Sequence, residues 1–282
     1  MTEIPDKKDI LHGETEKSAY YGYTCIGGRP EDQDCMAYHD VNGRQIFTVC
    51  DGMGGHAGGY NASRIAAQAI IEALTRQTEV VPTEDAIKTA VNEANTAVYD
   101  KAQANPSLRG MGTTLTLLVI DATAAYVTHV GDSRIYQLRG GRKKFRTFDH
   151  SQVFELVTKK RLTEEEARVH PRSNVLSRAI GILPDVDFMV RKLSYKKGDR
   201  FVLCCDGVWN SQPEPDIISM FTANDDLETT IRTTCTTVEK IGQDKGGQHD
   251  NHTMIAVDMK TSSKYRKSLF ARIAALFKKS NK

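Results

Sequence analysis

The sequence lacks any long apolar run. No stretch approaches the 18 or more apolar residues that a membrane-spanning helix needs, which excludes an integral membrane protein built on such helices. The first 18 residues are polar and contain no apolar core of a signal sequence, so we expect no secretory leader. The chain has 282 residues, of which 39% are hydrophobic and 26% charged, a composition typical of a soluble globular protein with a sizeable core.

Cysteine is present but unpatterned. The six cysteines include no Cys-x-x-Cys pair, and three of them (Cys50, Cys204 and Cys205) end apolar runs. We predict small, buried, reduced side chains, as expected for a protein of the cytoplasm.

Acidic residues are missing from the last 23 positions. Residues 260–282 contain eight basic side chains and no Asp or Glu, so the rest of the chain holds 30 basic and 36 acidic residues. A body of net charge −6 therefore precedes a tail of +8. This distribution argues against a nucleic-acid reader built on one broad basic surface, and we expect no nucleic-acid partner.

Short runs rich in β-branched and aromatic residues predict strands, and they follow a polar segment, residues 1–18, that we expect to be disordered. The predicted strands are Tyr21–Ile26, Ile46–Cys50, Thr114–Ile120, Ala124–Val130, Arg134–Leu138, Phe201–Cys205 and Thr253–Met259.

Helices are predicted where apolar residues recur at helical spacing or capping residues precede a suitable segment. They are expected around Ile65–Leu74; around Ile87–Val98 with Thr83 as N-cap; from Thr163, whose spacing to Glu166 fits a capping box; and over Leu227–Ile241, capped by Asp225 or Asp226 and ended by Gly242.

The order of these elements predicts an α+β protein. Strands and helices come in blocks rather than in strict alternation, and the Gly131-Asp132-Ser133 turn predicts a hairpin between Ala124–Val130 and Arg134–Leu138. Hairpins imply antiparallel sheets with helices packed on their outer faces. No linker divides residues 20–259, so we expect one domain.

Acidic residues recur where predicted strands meet loops. Asp51 and Asp206 directly follow apolar strands, Asp132 lies in the turn after another, and Asp250 stands just before the last strand. Asp32 and Asp34 precede a further strand. If these strand ends share one rim, the carboxylates repel one another unless cations lie between them. Mg²⁺ and Mn²⁺ prefer such oxygen ligands.

Eight motifs, in order, resemble those of the metal-dependent serine/threonine phosphatases of the protein phosphatase 2C (PP2C) family in their bacterial form. They lie within about residues 20–259 and are Arg29-Pro30-Glu31-Asp32-Gln33-Asp34, Asp51-Gly52-Met53-Gly54-Gly55-His56, Gly112-Thr113-Thr114, Gly131-Asp132-Ser133-Arg134, Asp149-His150-Ser151, Asn174–Gly181, Asp206-Gly207-Val208-Trp209 and Asp250-Asn251-His252-Thr253.

The resemblance implies a fold and a set of roles. The fold is a four-layer αββα sandwich spanning residues 19–259, with a flap at about 149–181. A water activated by two Mg²⁺ or Mn²⁺ ions would hydrolyse phosphoserine or phosphothreonine. By this resemblance Asp51 would bridge both ions, and the Gly52 carbonyl, Asp206 and Asp250 would also bind metal. Asp132 would contribute to a third, looser metal site, and Asp34 would bind water of the metal site. Arg29 would bind the substrate phosphate.

Three positions depart from the family's pattern. Gln33 stands where some members have Glu, which removes one charge near the second ion. Met53 stands where animal members have a His that is a candidate general acid, so the leaving alkoxide must take its proton elsewhere. Asp32 stands where Asn is often found.

Two other functions are weighed against catalysis by metal ions. A catalytically silent phosphoprotein-binding module on the same fold should have lost at least one of Asp51, Asp206 and Asp250, yet all three are present. A cysteine-dependent phosphatase needs Cys-x5-Arg, which the sequence lacks. The expected partners are phosphorylated proteins, including a cognate serine/threonine kinase, and the chain is expected to be a monomer.

The tail at residues 260–282 lies beyond the resemblance. Leu269, Phe270, Ile273, Leu276 and Phe277 fall on one side of a helix, and basic residues fall outside that arc. Two interpretations stay open. One is a solvated basic tail or a helix docked on the body. The other is a weak, reversible contact with an anionic membrane surface, which would make a cytoplasmic enzyme peripheral at the inner membrane, or with an acidic partner.

Overall fold

The computed structural model describes residues 10–77 and 83–264. Its strands, in chain order, are β1 (Ile10–Glu14), β2 (Ser18–Cys25), β3 (Asp34–Val41), β4 (Arg44–Met53), β5 (Gly112–Thr113), β6 (Leu115–Ile120), β7 (Ala125–Val130), β8 (Arg134–Arg139), β9 (Arg142–Arg146), β10 (Arg191–Leu193), β11 (Asp199–Cys204) and β12 (His252–Met259). Its helices are α1 (Gly55–Arg76), α2 (Thr83–Ala104), α3 (Gln152–Thr158), α4 (Glu164–Arg168), α5 (Asp206–Trp209), α6 (Glu214–Phe221) and α7 (Leu227–Asp244).

Among the described residues the strands form two antiparallel sheets. The first has the order β1-β2-β12-β11-β8-β9, and the second the order β10-β7-β6-β4-β3 with β5 beside the end of β4. Within this part of the chain, no helix has the length and apolar content needed to cross a bilayer.

Three apolar layers hold the sheets and helices together. One lies between the second sheet and α1 and α2, one between the two sheets, and one between the first sheet and α6 and α7. Successive residues of β4 alternate between layers: Ile46 and Cys50 face the helices, whereas Phe47 and Val49 face the other sheet. The predicted four-layer αββα sandwich is confirmed.

The predicted hairpin at Gly131 is wrong. β7 pairs with β6 and β10, whereas β8 pairs with β11 and β9, so the turn passes from one sheet to the other. The residues Gly131-Asp132-Ser133 do form a turn, but the strands on either side are buried and pair with other strands rather than with each other. Gly131 has φ +94°, and a Cβ there would lie 2.7 Å from the Thr114 side chain, so glycine suits this crossing.

The expected disorder of residues 1–18 is wrong for the part that is described. Residues 10–14 form β1, which pairs with β2 along its whole length. Ile10 and Leu11 pack against different apolar layers of the body, so the strand has a buried contact on each face. Residues 1–9 lie outside the described part.

The helix ends in the structure agree in part with those predicted from the sequence. The capping box of Thr163 and Glu166 and the N-cap Asp226 are confirmed. Thr83 is the first residue of α2 rather than its cap, and Gly242 lies inside α7, which continues to Asp244. The sequence patterns did not identify β9, β10, α3 or α6. The helix predicted in the tail falls on residues 265–282, outside the description.

Candidate active site

Four of the six acidic residues singled out from the sequence line one cleft, with a volume of about 450 Å³, at an edge of the sandwich, and Asp32 and Asp34 are not part of its lining. Asp51 belongs to the end of β4, and Asp206 is the first residue of α5, immediately after β11. Asp132 comes from the crossing between β7 and β8, and Asp250 directly precedes Asn251 and β12. The lining includes Arg29, Asp51, Gly52, Asp132, Asp206 and Asp250.

Asp34 lies behind Asp51, since the two residues are direct partners in the β3–β4 ladder. In the described part of the chain, neither side-chain oxygen of Asp34 has a hydrogen-bond partner, although both are buried. Asp34, Asp51 and Cys205 each place one side-chain donor atom within 4.8 Å of the others. Buried carboxylate oxygens without hydrogen bonds are costly, and divalent cations with their water would satisfy them, so the residues fit a metal centre.

The electrostatics of the cleft support the same interpretation. Burial, and then the negative charges of its neighbours, raise the pKa of Asp51 well above its usual range. Burial and Asp206 do the same to the pKa of Asp132. Burial followed by Asp250 raises the pKa of Asp206 to about 6, and burial followed by Asp32 raises the pKa of Asp34 to about 8. These carboxylates therefore need positive charge among them in order to be ionised together at neutral pH.

The backbone of Asp51 is fixed by neighbouring hydroxyl groups. Its N–H donates to Thr114 Oγ1 at 2.9 Å, and its carbonyl accepts from Thr113 Oγ1 at 2.8 Å. Thr114 Oγ1 lies 2.7 Å from Ser133 Oγ, on the crossing that carries Asp132. Two acidic segments are thereby joined by hydroxyl hydrogen bonds. The Gly-Thr-Thr and Gly-Asp-Ser motifs thus have a physical reason to occur together.

Gly52 is required by close backbone packing. A Cβ at Gly52 would lie 2.1 Å from the carbonyl oxygen of Gly59 in the first turns of α1. Because backbone cannot yield at that distance, the end of β4 and the start of α1 can meet only through glycine.

Arg29 reaches across the mouth of the cleft. Its Nη2 donates to Asp250 Oδ2 at 2.7 Å, and the two side chains are 50% and 43% exposed. The guanidinium is thus open to solvent beside the carboxylates, where a planar fork can receive phosphate oxygens.

Asn251 is a residue whose role sequence reasoning missed. Its Nδ2 donates to the carbonyls of Ile26 and Glu31 at 2.8 and 3.1 Å, and its Oδ1 accepts from the Gln33 N–H at 2.9 Å. It therefore fastens the loop that carries Arg29 to the segment that carries Asp250. Its position next to Asp250 in the Asp-Asn motif was the only signal available.

The three residues that depart from the family's pattern, Asp32, Gln33 and Met53, lie in or next to the cleft. Asp32 accepts hydrogen bonds from Thr24 Oγ1 at 2.9 Å and from the Asp34 N–H at 3.1 Å, so it shapes the turn before β3. Gln33 Nε2 donates to the Gly55 carbonyl at 3.0 Å, which ties that turn to the start of α1. Met53 lines the cleft.

Residues of three motifs meet around the buried guanidinium of Arg134, outside the cleft lined by the carboxylates. Arg134 makes two hydrogen bonds to Asp149, of 2.8 and 2.7 Å, and its guanidinium lies 3.4 Å from the centre of the Trp209 ring. Arg134 and Asp149 are both almost fully buried. This pair joins β8 to the start of the 149–181 segment, so these motif residues are structural.

The predicted flap, residues 149–181, contains α3 and α4 and returns to the body. Isolated bridges pair Ser151 with Leu176 and Thr113 with Ile180. Asn174 and Leu176 also line the cleft. The segment therefore contributes part of the surface that a substrate would meet.

A two-sheet sandwich with carboxylates converging at one edge is the arrangement expected of a metal-dependent enzyme. The sequence model of the protein phosphatase 2C family matches residues 21–249, and the chain belongs to that family. It is a metal-dependent serine/threonine protein phosphatase whose cofactor is Mg²⁺ or Mn²⁺.

Named relatives come from several bacteria. The chain is 29% identical to the serine/threonine phosphatase stp of Listeria welshimeri, over 81% of this chain and 90% of the relative. It is 32% identical to the protein phosphatase PhpP of Streptococcus pneumoniae, over 74% of this chain and 88% of that one.

Solved structures show the same fold. The serine/threonine phosphatase of S. agalactiae superposes with a TM-score of 0.73 at 30% identity and covers 86% of this chain and 99% of its own. The catalytic domain of a phosphatase PstP, solved with two manganese ions, has a TM-score of 0.71 at 27% identity and covers 86% and 98%.

Proposed function

We propose that Asp51, Asp206 and Asp250, with the carbonyl of Gly52, hold two divalent cations, and that Asp132 and Asp206 hold a third more loosely. The observation that carries this assignment is the convergence of four carboxylates on one cleft, with the pKa values of Asp51, Asp132 and Asp206 raised first by desolvation and then by their mutual repulsion. The cations would supply charge neutralisation and a lowered pKa for a bound water.

The chain's own residues supply recognition and orientation. Arg29 binds the phosphate of the substrate through its exposed guanidinium. Asp34, whose oxygens are buried without hydrogen bonds, would accept hydrogen bonds from water bound at the metal centre and so hold its orientation. Met53, Asn174 and Leu176 form the part of the cleft wall that contacts the substrate outside the phosphate. Catalysis then consists mostly of positioning and charge neutralisation.

The test of these roles is hydrolysis of p-nitrophenyl phosphate and of phosphopeptides. We expect turnover with Mn²⁺, loss of turnover in EDTA, and a fall of at least about 100-fold for Asp206→Asn. Asp216→Asn makes the same change at an exposed position on α6 and should leave turnover unaltered. Good turnover in EDTA would contradict the assignment.

A silent phosphoprotein-binding module is not favoured, because all the carboxylates are present and the relatives are named phosphatases. It predicts tight binding of phosphopeptides without release of phosphate in Mn²⁺. The same assay with a phosphate-release readout separates the two functions.

Phosphorylated proteins are the substrate class, and we propose that they include a cognate serine/threonine kinase in the cytoplasm and that the enzyme acts as a monomer. Phosphoproteomes of cells carrying the wild type or Asp206→Asn should differ at that kinase. Unchanged kinase phosphorylation would exclude it as a substrate.

The basic tail is proposed to hold the enzyme weakly at an anionic membrane surface, at about 1 kcal/mol for each basic residue near the surface. Residues 260–264 hydrogen-bond to the body, for example through the Ser263 N–H to the Tyr195 carbonyl at 2.9 Å, so a truncation should keep them. Full-length protein should sediment with anionic vesicles, and residues 1–264 should not. Equal retention of both would end the proposal.

A further inference from the structure

A second group of metal-ligating side chains lies where β2 and β12 pair, since Cys25 and His252 are direct partners in that ladder. Cys25 ends β2, Glu239 projects from α7, and His252 begins β12. One side-chain donor atom of each lies within 4.8 Å of the others. His249 contacts the same carboxylate, and these four residues are called the Cys25 cluster below.

The distances in the Cys25 cluster suit a tetrahedral ion. Glu239 Oε2 lies 3.7 Å from Cys25 Sγ, 3.9 Å from His252 Nε2 and 2.9 Å from His249 Nε2. Ligand atoms bound to one zinc ion at its usual bond lengths stand about 3.3–3.8 Å apart. Small side-chain movements would bring Cys25, Glu239 and His252 around a single ion, and His249, which already contacts the shared carboxylate, would have to turn toward the ion to become its fourth ligand.

His252 provides an independent sign that this cluster can bind a cation. Its side chain is fully buried, and in the described part of the chain Nε2 has no hydrogen-bond partner. Its Nδ1 lies 3.4 Å from the Asp250 carbonyl, which can only accept, and its Nε2 lies 3.9 Å from Glu239 Oε2. The tautomer that donates from Nδ1 to this carbonyl presents the Nε2 lone pair to the carboxylate. Two acceptors facing each other are unfavourable, and a cation between them removes the conflict.

We propose that Cys25, Glu239, His249 and His252 bind one Zn²⁺ ion, in a site separate from the carboxylate centre. Thiolate and imidazole ligands favour zinc, whereas Mg²⁺ and Mn²⁺ favour the oxygen ligands of the catalytic cleft. The site is reached from solvent, because the Glu239 side chain is 37% exposed and Cys25 is the one cysteine of the six that is only partly buried.

The position of the site gives it a consequence for the cleft. Cys25 leads directly into the loop that carries Arg29, and His249 and His252 flank Asp250. The Gly28 N–H donates to the His249 carbonyl at 3.0 Å, so the two segments already touch. An ion in the Cys25 cluster would join both segments to α7, and we expect it to raise the temperature of unfolding.

Cobalt(II) is the probe that distinguishes this site, because a cobalt–thiolate bond gives a charge-transfer absorption in the near ultraviolet that oxygen ligands do not give. Full-length protein, stripped with chelator and supplied with excess Mg²⁺ for the carboxylate centre, is titrated with Co²⁺. We expect the absorption to saturate at one ion per chain and to be displaced by Zn²⁺.

Matched variants assign the thiolate. Cys25→Ser should abolish the absorption. Cys205→Ser, next to the catalytic carboxylates, and Cys235→Ser, on the same helix as Glu239, should keep it. His252→Gln should keep the fold, checked by circular dichroism, and weaken Zn²⁺ binding by about 10–100-fold.

Two results would overturn the proposal: no thiolate absorption at saturating Co²⁺ in the wild type, or an absorption that survives in Cys25→Ser. Unchanged Zn²⁺ affinity in a folded His252→Gln protein would also contradict it.

Discussion

At the scale of single residues, the positions of the site carboxylates could be predicted from the sequence, but the role of the Asn251 side-chain amide could not. An Asp directly after a buried strand must lie at that strand's end, so its approximate place follows from the local sequence. Asn251 acts through three backbone groups of a loop more than 200 positions away in the chain. No local pattern records such a contact, because it depends on how the loop folds against β12.

Asn251→Asp tests this role with little change in size. The variant keeps an oxygen for the Gln33 N–H but loses the two donors and places a negative charge beside carbonyl oxygens. We expect kcat/KM to fall about 10–100-fold, with KM rising more than kcat falls, because Arg29 is displaced from the phosphate position. Steady-state kinetics with p-nitrophenyl phosphate measure both constants.

The control for this prediction is Asn92→Asp, the same chemical change at an exposed position of α2. It should match the wild type in both constants. An Asn251→Asp enzyme with an unaltered KM would show that the loop holds Arg29 without the amide.

At the scale of elements, apolar periodicity identified the long buried helices and most strands, but not which strands pair. The strands before and after Gly131 were each predicted, and their assignment to one hairpin was wrong because partners are chosen by burial across the sandwich. β1 was missed for a related reason. Only Ile10 and Leu11 of its five residues are large and apolar, too few to give a strand pattern, and the strand is ordered by its pairing with β2 and by the packing of these two side chains.

A contact between β7 and the segment after β9 makes stability sensitive to acid. His129 and His150 stack with ring centroids 4.3 Å apart. Burial lowers the pKa of His129, and burial followed by His129 lowers the pKa of His150 to about 3. In the unfolded chain a histidine takes up its proton near pH 6.5. The unfolded state therefore binds more protons, and stability is lost as pH falls from about 6.5 toward 3.

Removing His150 should reduce this loss. We expect His150→Gln to weaken the fall in unfolding free energy between pH 7 and pH 5 by about 1 kcal/mol. Urea unfolding at both pH values, with Mn²⁺ saturating throughout, gives the slope. His12→Gln removes one exposed histidine from β1 and serves as the comparison. Equal slopes in His150→Gln and the wild type would exclude the buried pair as the cause.

At the scale of the whole molecule, the sandwich brings together charges that would be dispersed in the unfolded chain. Asp34, Asp51 and Asp206 come from three separate strand ends and meet only after both sheets have formed. Cations that bind this cleft bind the folded state alone, so they stabilise it by mass action. The negative body noted in the sequence is in part a consequence of this cleft.

Removing the metal should therefore lower the unfolding temperature of the whole domain. At Mn²⁺ concentrations of about 100 times the dissociation constant, the stabilisation is about 2.7 kcal/mol. For a domain of this size that corresponds to about 5–10 °C, measurable by calorimetry with and without EDTA.

Asp51→Asn should abolish the Mn²⁺ effect and yet melt no lower than the metal-free wild type, because it also removes one of the carboxylate charges that repel one another in the cleft. Asp216→Asn should keep the full Mn²⁺ shift. If Asp51→Asn kept it too, the bound cations would lie elsewhere than between these strand ends.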